Sequence, residues 1–178
     1  MADSEKIRIF CGLRLPGDVA GRLAAWQAEH LRGGRLVPPD NLHVTLAFLG
    51  WRPAGDVAGI AAELRAAASA AAPIVLEPVR YRETRSVGMV ELRDAGDAAT
   101  ALADDLGGRL ERLGVYRREQ RAWLAHVTVL RFRERPRLAP APPGLGAFSP
   151  SDAAVYSSVL RSHGAQYEVL ESVALGGR

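Results

Sequence analysis

Two stretches of this chain, NLHVTLAFL at residues 41–49 and AHVTVLRF at 125–132, share the tripeptide His-Val-Thr. Each comes after an amphipathic helix that itself comes after a strand-like run. This repeated order of strand, helix and strand limits the possible folds more than any other feature of the sequence. The simplest arrangement that uses it is a two-lobed α+β fold, in which duplicated β-α-β units with antiparallel sheets surround a central cleft about a pseudo-twofold axis. With 178 residues, 48% of them apolar, the chain fits one such domain over residues 1–178 better than two.

The first unit opens with EKIRIFCGLRL at 5–15, where Ile7, Ile9, Cys11, Leu13 and Leu15 recur at period two, the mark of a half-buried strand. Pro16 and Gly17 end it. Residues 18–31 place Val19, Leu23 and Trp26 at helical spacing, and Gly33-Gly34 stop that helix. A short strand at 35–37 and a Pro-Pro-Asp turn lead to a strand over 42–49, closed by Gly50. An alanine-rich helix over 55–71 and strands over 74–81 and 86–93 follow. The second amphipathic helix, 97–113, carries Leu102, Leu106, Leu110 and Leu113 on one stripe with Gly114 as its C-cap, and feeds a strand over 123–132. The proline-rich stretch 136–150 reads as a mobile loop bordering that strand. Strand-like runs at 153–161 and 166–174 close the chain.

Chance does not account for the paired motif. Four histidines and four threonines occur in 178 residues, so a given histidine has threonine two places on with probability 4/178, roughly 1 in 45, and six possible pairs at that value squared give roughly 1 in 340. On a strand, residues i and i+2 share a face. His43 and Thr45 therefore project together while Val44 and Leu46 enter the core, and His126 and Thr128 separate from Val127 and Val129 in the same way. Packed about a pseudo-twofold axis, both pairs face one cleft.

Two imidazoles and two hydroxyls around a shared volume suit a phosphodiester. Its in-line hydrolysis needs a base for water and an acid for the departing oxygen, and histidine serves as either near neutral pH. Hydroxyls and a guanidinium then stabilise charge on the non-bridging oxygens. This inventory calls for no metal and no cofactor, and two histidines without a carboxylate at ligand spacing are too few for a transition-metal centre.

The charge pattern agrees. The formal net charge is +3, and Lys6 is the single lysine among 23 basic residues, which favours bidentate contacts to anions. Arginines gather at 80, 82 and 85, at 117, 118 and 121, and at 131, 133, 135 and 137, pointing to a phosphate-rich partner. The same lone lysine excludes a P-loop and a self-nucleotidylating ligase. No Gly-x-Ser-x-Gly, Gly-x-Gly-x-x-Gly or His-Glu-x-x-His is present. Cys11, the only cysteine, excludes an internal disulfide and reads as a small buried hydrophobe. The opening residues lack the pattern of a secretory signal and no run is long enough to span a bilayer, so the expectation is a cytoplasmic protein without a membrane partner and with no obligate protein partner.

His43-Val44-Thr45-Leu46 and His126-Val127-Thr128-Val129 resemble the paired motifs of the 2H phosphoesterase superfamily, most closely its RNA 2′,3′-cyclic phosphodiesterases, once called 2′-5′ RNA ligases. The likeness extends over RIFCGLRLP, the Asn41-Leu42 lead-in, the Phe48-Leu49-Gly50 exit, Arg131 five residues after His126, and SSVLRSHGAQY. The resemblance implies a two-lobed α+β fold, hydrolysis of the 2′,3′-cyclic phosphate at RNA 3′ ends or on nucleotides to a 2′-phosphate, and no cofactor. It implies His43 as proton donor to O3′, His126 as the base that activates water, and Thr45, Thr128 and Arg131 as phosphate ligands. Ala125 departs from the family's usual proline before the second histidine. Strict alternation from His126 points Arg131 away from the cleft, so its role requires a bulge or a reach around the strand edge. Competing readings are a cyclic phosphodiesterase for small nucleotide or ADP-ribose cyclic phosphates, and a nucleotide-binding module without turnover. His30 reads as a partner of a helix C-terminus, His163 as part of a hairpin turn, and Phe48 and Tyr167 as residues that either stack a base or pack.

Overall fold

The computed structural model describes residues 5–176. The expected alternation of elements is present: β1 (Lys6–Arg14), α1 (Gly17–His30), β2 (Arg35–Leu36), β3 (His43–Pro53), α2 (Val57–Ser69), β4 (Val75–Glu83), β5 (Val87–Ala95), α3 (Ala98–Arg112), β6 (His126–Arg131), β7 (Asp152–Arg161) and β8 (Gly164–Val173). All eight strands join one curled antiparallel sheet, a half-barrel, in the order β4-β5-β6-β3-β1-β7-β8, with β2 added alongside β6. The two sheets expected of the duplicated units are thus continuous. The unit β1-α1-β3 and the unit β5-α3-β6 lie side by side, with their motif strands adjacent and antiparallel at the centre. There the two strands pair through a single register position, Val44 opposite Val127, which marks the pseudo-twofold axis.

One face of the sheet is apolar and covered. Ile9, Cys11, Leu13, Val44, Leu46, Val127 and Val129 join Leu23 and Trp26 of α1, Ile60 and Leu64 of α2, and Leu102, Leu106 and Leu110 of α3 in one core cluster. Val44 and Val127 are almost fully buried, and burial of each such side chain stabilises the fold by about 1.5–3 kcal/mol. Burial also pushes the Cys11 thiol up to about 12, the behaviour of an inert core residue. α3 ends in a Schellman motif: Val115 N–H donates to Leu110 O at 3.1 Å and Gly114 N–H to Glu111 O at 3.0 Å, with Gly114 at φ 79° as its left-handed position requires.

Three expectations from the sequence change. β3 continues through Gly50 to Pro53, because Gly50, at φ 71°, is absorbed in a register shift against β1 at Ile9/Phe10 instead of ending the strand. β6 begins at His126, not 123, since residues 123–125 run outside the regular ladder. The stretch 136–150 lies against α1 and β4 and is anchored there. Phe148 exchanges two 2.8 Å backbone bonds with Leu76, Trp26 Nε1 donates to Ala141 O at 3.2 Å, and the buried Glu83 carboxylate accepts from Arg137 N and Leu138 N at 2.9 and 2.8 Å. No residue of 136–150 lines the cleft described next.

Candidate active site

The uncovered face of the sheet carries His43 and Thr45 on β3 and His126 and Thr128 on β6, all partly exposed between fully buried neighbours, as the alternation of a strand requires. Each imidazole is held in the same manner. His43 Nδ1 donates to Asn41 O at 2.7 Å and His126 Nδ1 donates to Leu124 O at 2.8 Å, in both cases the carbonyl two residues upstream. With Nδ1 carrying the hydrogen, Nε2 is the free position on each ring. His43 Nε2 accepts the Thr45 hydroxyl at 3.0 Å, so the motif's two functional groups touch each other in the cleft.

The surroundings of the two rings differ. Phe10, Tyr156 and Tyr167 pack around His43 with ring centroids 4.7, 5.8 and 5.4 Å away, and Gly12 lets that packing close, since a Cβ there would stand 3.0 Å from Val44 O and 3.3 Å from His43 Cδ2. Burial is the main reason that His43 is held down to about 4; the Asn41 carbonyl opposes this, and the nearby Arg131 and His126 add to it. His43 is therefore neutral at pH 7 in these surroundings. His126 stands more open, at the edge of a 730 Å³ cavity that also includes Thr45, Arg82, Arg118 and Trp123. His43, Thr45, Thr128 and Arg131 line an adjoining 430 Å³ cavity. Thr45 and Phe48 border both, so the two spaces form one cleft across the pseudo-twofold axis.

Arg131 reaches this cleft through a bulge. Against β5, Thr128 pairs with Met89 and Leu130 with Gly88, which leaves Val129 as an extra residue on β6. The residues beyond it switch faces: Val129 and Leu130 are both buried and Arg131 emerges on the cleft side. The first motif has the same device. Thr45 pairs with Gly12 and Ala47 with Cys11, so Leu46 is extra, Leu46 and Ala47 are both buried, and Phe48 emerges. Phe48 and Arg131, each five residues after its histidine, are equivalents across the axis. The β6 bulge is supported from behind, where the Val129 carbonyl accepts Gln27 Nε2 of α1 at 2.6 Å and Val37 N–H at 3.1 Å.

Several site residues carried no signal of their own. Gln27 reads as a polar position on a helix, yet it is 1% exposed and serves the bulge. Trp123 donates from Nε1 to Thr45 O at 3.0 Å, tying the entry of the second motif to the first. Arg8 stacks 4.7 Å above the Phe48 ring; the one clue in the sequence was the equal spacing of Phe48 and Arg131 from their histidines. Tyr167 meets His43 edge-on. His30 Nδ1 donates to Trp26 O at 3.1 Å at the end of α1 and His163 occupies the turn between β7 and β8, both away from the cleft.

Residues 13–85, which include His43 and Thr45, match the model of the family described as LigT like Phosphoesterase. The RNA 2′,3′-cyclic phosphodiesterase of Escherichia coli (strain K12) is 28% identical over 97% of this chain and 98% of its own length. Its likeness in three dimensions is as broad: E. coli LigT in apo form superposes with TM-score 0.80 at 27% identity over 97% of this chain and 99% of that one. LigT complexed with 3′-AMP gives TM-score 0.80 at 26% identity over the same shares. A Thermus thermophilus protein, TT0787, reaches TM-score 0.82 at 28% identity over 96% of this chain and 99% of its own. The paired His-x-Thr strands about one axis and the near full-length similarity to E. coli LigT together support a likeness to the 2H phosphoesterases.

Proposed function

We propose that this chain is a cyclic phosphodiesterase that opens terminal 2′,3′-cyclic phosphates of RNA to 2′-phosphates, with His43 and His126 as its acid and base. The observation that carries this reading is the matched pair of imidazoles on the central strands, each pinned at Nδ1 by a backbone carbonyl, which leaves Nε2 without a hydrogen on both rings. The similarity to an RNA 2′,3′-cyclic phosphodiesterase supports the reaction class.

In this reading the cyclic phosphate sits between the two rings. Thr45, Thr128 and Arg131 hold its non-bridging oxygens, the guanidinium through a charge-assisted fork. His126, the more open ring, takes a proton from water as the water attacks phosphorus. The P–O3′ bond breaks on the opposite side, and His43 gives its Nε2 proton to O3′, leaving the phosphate on O2′. The free His43 is neutral, so its Nε2 takes up a proton from solvent as the anionic substrate binds. A phosphate anion against the ring, displacing the Thr45 hydroxyl, favours the charged form that burial alone disfavours.

The test is to incubate the protein with 2′,3′-cyclic AMP in excess chelator and to separate the products. The expected result is 2′-AMP at an undiminished rate. Predominant 3′-AMP would place the donor beside O2′, activity restored only by a divalent ion would overturn the two-histidine mechanism, and binding without turnover would make the chain a nucleotide-binding module.

A further inference from the structure

The His43 side of the cleft is more cationic than one reacting phosphate requires. Besides Arg131 its wall holds Arg8, Arg35 and Arg161, together with Asn41, Ser158 and Tyr167, and no carboxylate. Among the described residues, none of these four guanidiniums has an acidic partner within ion-pair distance. The three arginines of the neighbouring cavity each have a carboxylate partner: Arg82 pairs with Glu91, which Arg80 shares, Arg118 with Glu111 and Arg121 with Glu119. Within the cleft, the arginines without an acidic partner are therefore those on the His43 side.

Its placement is built by three elements. Arg35 on β2 is the register partner of Arg131 on β6. The Arg35 guanidinium lies against the β7–β8 hairpin, 3.3 Å from where a Cβ on Gly164 would stand, and Gly164 is the register partner of Arg161. Asn41 Nδ2 donates to Ala165 O at 2.8 Å, which fastens that hairpin to the lead-in of the first motif. Arg8 is already engaged, over the Phe48 ring and with Ser158 Oγ at 3.3 Å. Arg161 Nε donates to the neutral Gln166 Oε1 at 3.4 Å, and Arg35 and Arg161 are left lining the space beyond Arg131 with their charge unanswered. Like charges gathered without counterions repel one another, and a bound anion relieves that repulsion.

A 2′,3′-cyclic phosphate brings one negative charge, and Arg131 answers it. The remaining position at which a terminal nucleoside carries phosphate is its 5′ oxygen. We propose that Arg35 and Arg161 form a second phosphate subsite, which receives the 5′ phosphate of the nucleoside whose cyclic end is opened, either a terminal monophosphate or the diester to the preceding nucleotide. This proposal rests on the cyclic-phosphodiesterase reading above.

The experiment uses the full chain and three probes: adenosine 2′,3′-cyclic phosphate, the same compound with a 5′-monophosphate, and the dinucleotide ApA ending in a 2′,3′-cyclic phosphate. A charge-assisted contact of the usual strength raises kcat/KM about tenfold to a hundredfold for a probe with the second phosphate. Arg35→Gln and Arg161→Gln, both at exposed positions, are expected to remove that gain through KM and to leave the rate on the unphosphorylated probe unchanged. A gain on both phosphorylated probes identifies the phosphate itself as the ligand, and one confined to the dinucleotide and erased by the arginine variants identifies the diester. Equal kcat/KM on all three probes, or a gain that both variants retain, would overturn the subsite while leaving the function intact. Hydrolysis of none of them would overturn the function itself.

Discussion

His43 and His126 occupy equivalent places in unequal surroundings, and that inequality is testable side chain by side chain. Removal of either is expected to cost on the order of 10²–10⁴ in rate on a ribonucleotide, because in the proposed mechanism each supplies one proton transfer. A nitrophenyl phosphodiester separates them: its leaving group departs without a proton, so His43→Ala recovers much of its lost rate on that probe and His126→Ala recovers little. Rescue of His126→Ala instead would reverse the roles. A second consequence follows from burial of His43. Its pKa in the folded chain, about 4, lies below the ordinary 6.5, so the folded state binds fewer protons than the unfolded one. The stability linked to neutral His43 is complete above pH 6.5 and is lost as pH falls toward 4, by an amount on the order of 3 kcal/mol. Urea unfolding at pH 7 and pH 4.5 is expected to show a larger acid loss for the natural chain than for His43→Asn; equal losses would show that this ring is not the source.

At the scale of strands and helices, the bulges decide which residues face the cleft. Strict alternation along β6 turns Arg131 away, and the extra residue at Val129 turns it back. Arg131→Lys is expected to lose at least about tenfold in kcat/KM, since a point charge does not replace a bidentate fork. Gln27 tests the bulge from the opposite side. Gln27→Ala leaves the buried Val129 carbonyl with one partner in place of two and is expected to lower stability by about 1–3 kcal/mol. It is also expected to weaken substrate binding through Arg131; unchanged KM in a folded Gln27→Ala would show that the bulge holds without it. These elements also show how far residues alone can be read. The periodicities of β1, α1 and α3 and the facing of the His-Thr pairs were legible because each is a repeat written in residue types. A bulge inserts one ordinary apolar residue, and its only trace is a pair of adjacent buried positions, Leu46-Ala47 and Val129-Leu130. Gly50 misled for a related reason, because a left-handed glycine serves a bulge as readily as a strand end. The ties made by Gln27 and Trp123 depend on elements distant in sequence and had no local signature.

The molecule as a whole is two half-sheets joined at their motif strands. Backbone pairing between β3 and β6 comes down to Val44 and Val127, with β2 lacing the far end of β6 by pairing Leu36 with Leu130 and Arg35 with Arg131, while the apolar layer behind them is continuous through all three helices. In most sheets the central strands are the last to exchange their amide hydrogens, since they are paired on both sides and open only when the domain does. Here the geometric centre is also the most thinly laced line of the sheet. A hydrogen–deuterium map should therefore be inverted, with amides of β3 and β6 that point toward each other exchanging sooner than those bonded outward to β1 and β5. Ligand should slow the inner set most, because a phosphate gripped from both sides fastens the line that the backbone leaves nearly open.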